Sequence, residues 1–229
     1  MTSSIHPTAL ISKNAQIGLN VKIGPFVQIK DNVQIYDNCV IGAYTSIGEE
    51  PETIGFNDIS KGVIINKDTV IREHVIIHNG SNSFTTIGSN CYISGHSYIA
   101  HDCEIGNHVT MNHGVLLSSF VKVMDYAVIG IGAAVHQRST IGQYAMIAAN
   151  AAVVKDVPPL GKFIPNKLLA INVYAIDKYD LTNSLLKDHY HHLSSDPRWD
   201  ELWLIDGYYD LHKHFDLIRD KSRDTYNVY

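Results

Sequence analysis

Residues 87–123 read IGSNCYISGHSYIAHDCEIGNHVTMNHGVLLSSFVKV, and an aliphatic residue returns at every sixth position: Ile87, Ile93, Ile99, Ile105, Met111, Leu117 and Val123. A strict period of six fits neither an α-helix, at 3.6, nor a half-buried strand, at two. It fits a hexapeptide repeat, in which six residues make one short flat face of a parallel β-helix. Three faces close a triangular coil of about 18 residues. The residue four places after each aliphatic one is Cys91, Ser97, Cys103, Val109, Val115 or Val121. All are small or β-branched, as a second inward position in a narrow prism requires.

The period extends both ways from this stretch. It runs on through Ile129, Val135, Ile141, Ile147 and Val153, and back, after a slip, to Ile65, Ile71 and Ile77. An earlier run in the same phase goes from Ile5 to Ile47 without a break. The expected architecture is an all-β solenoid of seven or eight coils. At the usual strand spacing of about 4.8 Å that prism stands roughly 35 Å tall. Gly18, Gly24, Gly42, Gly48, Gly88, Gly106, Gly130 and Gly142 each follow the aliphatic residue directly, where glycine is expected to relieve strain at a corner. Cys39, Cys91 and Cys103 all occupy the inward small position, which implies buried packing over reactivity.

Two segments interrupt the pattern. Residues 48–62 (GEEPETIGFNDISKG) and 78–86 (HNGSNSFTT) are polar and rich in Gly, Pro, Asn and Ser, and loops thrown from a rigid coil are where binding concentrates. The prism is expected to end near Asp156-Val157-Pro158-Pro159, because prolines cannot donate to a ladder. The division is therefore a β-helix over 1–160 and a C-terminal α-helical segment over 161–229. Within that segment 167–193 reads as helical, and Asp196-Pro197 as a helix start. Leu204, Tyr208, Leu211, Phe215 and Ile218 trace a helical stripe. Such helices would cap one end of the prism, as solenoids need.

Composition excludes several functions. Lys plus Arg is 18 against 23 acids, with formal charge −5 and no basic block, so nucleic acid and anionic membranes are poor partners. No run approaches 18 apolar residues, which excludes a membrane span, and the opening MTSSIHPTAL has no signal-peptide pattern. Three cysteines make no disulfide framework. These features together imply a cytoplasmic protein.

Short motifs are more specific than the period. Ile5-His6-Pro7-Thr8-Ala9, Ile23-Gly24-Pro25-Phe26, Ile71-Arg72-Glu73, Ile77-His78, Ile99-Ala100-His101-Asp102-Cys103-Glu104-Ile105-Gly106-Asn107, Ala134-Val135-His136-Gln137 and Asp156-Val157-Pro158-Pro159 occur in this order. The set resembles the UDP-N-acetylglucosamine acyltransferases of lipid A synthesis across roughly residues 5–175. The resemblance implies a left-handed β-helix that assembles as a homotrimer with sites between subunits. It also implies that His101 is the general base taking a proton from a sugar nucleophile, with Asp102 holding its ring. An imidazole suits that task, since its ordinary pKa of about 6.5 leaves it neutral yet basic at pH 7. By the same resemblance the backbone N–H at Ser119 is an oxyanion donor, His136 and Gln137 line the donor groove, Asn172 is a retained tail contact and Ala149 limits the acyl chain. His78, which opens a loop, is a candidate substrate contact, as are His96 and Tyr98.

Departures from the family pattern redirect the functional expectation. Tyr98 and Phe120 replace two family histidines, and the family's nucleotide-contacting run is absent from 48–62. Ala149 replaces the glycine that admits a long chain, and acids slightly outnumber cations in 162–229, which disfavours an acidic carrier protein. The expectation is therefore transfer of a short acyl group from acyl-CoA, as co-substrate with no bound cofactor, to an amino or hydroxyl group of another nucleotide-linked amino sugar. One alternative is the lipid A O-acyltransferase reaction itself, with acyl carrier protein as donor. A second is a metalloenzyme resembling the γ-carbonic anhydrases, with His78, His96 and His101 as ligands. A third is a β-helix that binds without catalysis. His189, His191 and His192 read as a solvated helical face and no metal site is assigned there.

Overall fold

The computed structural model describes residues 3–57, 59–165, 170–181 and 208–219. The chain winds as a left-handed parallel β-helix of about nine turns. Strands of two to four residues build three flat faces. The first face runs from Ser4–Ile5 through Ile93 and Met111 to Gly161–Phe163, the second from Leu10–Ile11 to Ala152–Val153, and the third from Gln16–Ile17 to Thr140–Ile141. Within each face like stacks on like: Ile71 pairs with Ile41 and Ile93, and Ile99 with Ile77 and Leu117. From Val21 to Val153 the aliphatic residues of the period and their small partners form one continuous buried column. Each fully buried Ile or Val contributes about 1.5–3 kcal/mol.

The small inward residues also satisfy the backbone. Thr45 Oγ1 donates to Arg72 O at 2.8 Å and Thr69 Oγ1 to Gly88 O at 2.8 Å, each one coil above. Cys91 and Cys103 do the same with their thiols, to Gly106 O at 3.0 Å and Ser118 O at 3.2 Å. A buried corner carbonyl without such a partner would be costly. Burial raises the thiol of Cys91 to about 11 and that of Cys103 to about 12.

The glycines act differently from expectation. The left-handed corner lies two residues further on, at Asn20, Asn38, His74, Asp102, Phe120 and their equivalents, with φ of 58° to 62°. Gly88 is required by proximity: a Cβ there would sit 2.4 Å from the carbonyl carbon of Gly106 in the next coil. Gly42 is the same, at 2.5 Å from the carbonyl carbon of Arg72.

The ladder also continues past the prolines. Val157 bridges to Ile141 as the last row of the third face among the described residues, and none of those residues forms a coil above it to accept a bond from position 158, so Pro158 forfeits no bond to them. The chain then turns at Leu160, φ 58°, and Gly161–Phe163 pairs in parallel with Met146 and Ile147. The first face thus reaches nine parallel rungs, about 38 Å from first to last at the usual spacing.

Ala170–Ile171 closes the first face antiparallel. Helix α1, Val173–Lys178, follows, and Ala175 and Ile176 bury into the end of the core. Helix α2, Tyr208–Ile218, lies beside the third face, where His214 and Ile218 share a cleft with Glu104, Lys122 and Gln143. Phe215 of the expected stripe is buried. Asp196-Pro197, Leu204 and His189, His191 and His192 lie outside the described residues. Among the described residues, no helix is long and apolar enough to cross a membrane.

Candidate active site

The repeat itself brings His101 and Asp102 together. Ile99 ends a rung of the second face, and the corner that follows places Asp102 in the left-handed conformation at φ 60°. That turn swings the Asp102 carboxylate back onto its neighbour, with Oδ2 2.7 Å from His101 Nδ1. Both side chains are buried.

The loop at 78–86 locks the carboxylate. The backbone N–H groups of Ser81, Asn82 and Ser83 donate to it at 2.9, 2.8 and 2.7 Å, and the Ser81 hydroxyl at 2.6 Å. Burial alone would raise the Asp102 pKa, but the bonds from Ser81, Ser83 and His101 outweigh it and hold the group well below the usual carboxylate range. A charged Asp102 fixes the proton on His101 Nδ1 and leaves Nε2 as the acceptor.

Two hydroxyls meet that nitrogen. Ser119, one coil above, places Oγ 2.8 Å from Nε2, and Thr53 of the 48–62 loop places Oγ1 at 3.1 Å. The Phe120 ring presents its edge to His101, with centroids 5.2 Å apart, and Arg138 lies 4.5 Å over that ring. A cleft of about 210 Å³ opens alongside, bounded by Tyr98, Ala100, Ser118, Ser119, His136 and Gln137 with Glu52 above. Tyr98 donates its phenol hydrogen to Glu52, and burial followed by that carboxylate pushes the phenol pKa far up.

The two loops are tied to each other. Gly62 and Gly80 form an antiparallel bridge, and Lys61 N donates to Gly80 O at 2.8 Å. His78 is buried with Nδ1 on Glu50 O, and its ring lies 5.2 Å from Tyr98. It stands behind Tyr98 and lines a separate cavity with Glu49, Glu50 and Asn79. Thr53, Ser81 and Ser83 were not singled out by the sequence reading, which marked only their loops as binding segments.

The remaining candidates fall elsewhere. His96 stands at the corner where the second face begins, stacked between His74 at 4.8 Å and His113 at 5.0 Å in a ring ladder that includes Tyr44. The second face separates it from His101, so the three histidines do not converge within one chain. Among the described residues no group of three His, Cys, Asp or Glu is placed to hold a metal ion. Ala149 is exposed at the corner between the first and second faces. Asn172 is buried at the start of α1, and its amide donates to Tyr144 O at 2.7 Å.

Comparison with known proteins identifies the relatives of this chain. The family model described as bacterial transferase hexapeptide (six repeats) matches residues 14–49 and 84–119. The acyl-[acyl-carrier-protein]–UDP-N-acetylglucosamine O-acyltransferase of Burkholderia lata is 34% identical over 122 residues, 52% of this chain and 47% of that protein. The match thus spans about half the length of the curated relative. The structure of the Francisella novicida UDP-N-acetylglucosamine acyltransferase is 32% identical, with 82% of this chain and 76% of that chain covered and a TM-score of 0.60. The Campylobacter jejuni enzyme of the same name is 25% identical over 98% and 100% of the two chains, with a TM-score of 0.73.

These relatives overturn the expectation that acyl-CoA is the donor and a different amino sugar the acceptor. Their names give acyl carrier protein as donor and UDP-N-acetylglucosamine oxygen as acceptor, which is the alternative reading. The contrary signals were local substitutions and a charge tally over 162–229. That tally could not register Lys122 and Arg138, which lie on the prism beside Asp102 and Phe120.

Proposed function

The chain belongs to the bacterial hexapeptide-repeat transferases, within the family of the UDP-N-acetylglucosamine acyltransferases, and from that premise we propose that it moves an acyl group from the thioester of an acyl carrier protein to a hydroxyl of UDP-N-acetylglucosamine. One observation carries the proposal: His101 is held by a charged Asp102 on Nδ1, while Nε2 meets the hydroxyl of Ser119, a residue that lines the cleft. Nε2 takes the proton of the attacking hydroxyl, and the resulting imidazolium is stabilised by Asp102 and passes the proton to the leaving group.

The Ser119 N–H suits the developing oxyanion. At another corner of the prism the equivalent N–H groups are capped from the next coil, Leu19 by Asp37, Ser89 by Asn107 and Asn107 by Asp125, whereas no described residue caps Ser119. Tyr98, His136 and Gln137 line the cleft as substrate contacts, with His78 behind Tyr98, and the family resemblance assigns Ala149 to the acyl chain. Arg138, exposed on the prism, is a cation that an acidic carrier could meet, whereas Lys122 is paired with Glu104 at 3.4 Å.

A homotrimer completes this reading. Ile76, Leu116 and Val154 project outward from the second face and are substantially exposed, an apolar strip beside the cleft that a neighbouring subunit would cover. Three free, buried cysteines suit a reducing compartment, the cytoplasm.

The test is direct. Purified protein, acyl carrier protein loaded with an acyl thioester, and UDP-N-acetylglucosamine should yield an O-acylated nucleotide sugar detected by mass spectrometry. His101→Ala should lower kcat by about 10²–10⁴-fold. No product from the wild-type chain would overturn the assignment.

A further inference from the structure

We infer that Ser119 is a nucleophile in this chain: its hydroxyl takes the acyl group from a pantetheine thioester, forming an acyl-serine that a sugar hydroxyl, or water in its absence, then relieves. The inference rests on the acyltransferase reading and goes beyond it, since direct transfer to the sugar needs no covalent stage.

The geometry is that of an activated serine. Ser119 Oγ lies 2.8 Å from His101 Nε2, and His101 Nδ1 lies 2.7 Å from Asp102 Oδ2. Asp102 is in turn fixed by the N–H groups of Ser81, Asn82 and Ser83. Nucleophile, base and orienting carboxylate are each within hydrogen-bond reach of the next, with the orienting group ionised, as covalent catalysis requires.

Thr53 is the competing hydroxyl on Nε2, and it fits less well. It stands further off, at 3.1 Å, and its own N–H is spent on Pro51 O at 2.8 Å. The Ser119 N–H has no acceptor among the described residues, so the residue that attacks also supplies a donor to the oxyanion it creates. Ser119 further borders the cleft between Tyr98 and His136, where a thioester can enter.

The step balances. As Ser119 Oγ bonds to the thioester carbon, His101 Nε2 takes the hydroxyl proton. The carbon–sulfur bond breaks and the proton passes to the leaving thiolate, giving free thiol and an acyl ester on Ser119. In the second half a sugar hydroxyl or water loses its proton to Nε2, attacks the ester carbon, and Ser119 Oγ recovers the proton.

The experiment uses the full chain with an acyl-pantetheine thioester and no sugar. Thiol release is followed by a chromogenic disulfide, and the intact mass is recorded after rapid quenching. The expected result is release at least tenfold above the protein-free rate, with an adduct of acyl mass on the peptide bearing Ser119. Both should vanish in Ser119→Ala, while Ser119→Cys should carry the acyl group as a thioester. Release at the protein-free rate, release undiminished in a folded Ser119→Ala, or an adduct on another residue would overturn the inference. The two readings separate cleanly. Ser119→Ala that still acylates UDP-N-acetylglucosamine at the wild-type rate removes the covalent stage and leaves the transferase. A wild-type chain that releases thiol through Ser119 yet never acylates the sugar removes the transferase and leaves a thioester-cleaving serine.

Discussion

Asp102 Oδ2 lies 2.7 Å from Nδ1 of the residue before it, His101, and this contact between sequence neighbours exists because Asp102 is at the left-handed corner, φ 60°. In an extended strand the two side chains would point to opposite faces. Asp102→Asn keeps the size of the side chain but removes the charge that sets the His101 tautomer. A fall in kcat of about 10²-fold or more is expected, with KM for the sugar little changed. Steady-state kinetics check it, and an unchanged kcat would remove Asp102 from the mechanism.

The same carboxylate makes the fold sensitive to acid. Its folded pKa is depressed, so its contribution is complete above the unfolded value of about 3.9 and is lost as pH falls from there through the folded value. The wild-type chain should lose melting temperature steeply below about pH 4. Asp102→Asn should show a shallower acid limb in thermal melts over the same range. Parallel limbs would contradict the pKa assignment.

Two glycines distinguish close approach from backbone conformation. Gly88→Ala brings a Cβ to 2.4 Å from the Gly106 backbone, an overpacking that neither chain can yield to without breaking the ladder; a loss of about 1–3 kcal/mol or more is expected. Gly114, at φ 68°, has nothing within 4 Å of a new Cβ, so Gly114→Ala should cost only the left-handed penalty of about 1–2 kcal/mol. Chemical denaturation of the pair should rank Gly88→Ala as the more damaging.

The cysteines should be silent in the native state. Cys39, Cys91 and Cys103 are buried, with the last two raised to about 11 and about 12, so almost no thiolate exists at neutral pH. Titration with a chromogenic disulfide should find no thiol in the folded protein and three after denaturation. Rapid labelling of the native chain would show that the coils open.

Much of this was legible in the residues. An unbroken step of six at Ile5 to Ile47 and again from Ile87 leaves only one way to bury a side chain at each step, so the three-faced coil follows. Ile99 and Ile105 therefore also locate the corner on which His101 and Asp102 sit. The glycines were placed correctly but for the wrong reason, because sequence spacing shows where Gly88 falls and not what lies 2.4 Å above it. The extra rung at Gly161–Phe163 was masked by Pro158 and Pro159, whose missing donors matter only if another coil lies above them.

The sequence by itself determined the prism, its period and the pairing of His101 with its neighbour, because a repeat superimposes residue i on residue i + 18 whatever the surroundings. Ser119 stands over His101 for that reason alone. Only the tertiary structure decided that Thr53 would reach the same imidazole and that Ser81 and Ser83 would clamp Asp102. It alone also decided that His96 would join a ladder of rings one corner away. Loops obey no period, and their course is set by bonds such as Gly62 to Gly80 that form between segments with no common register.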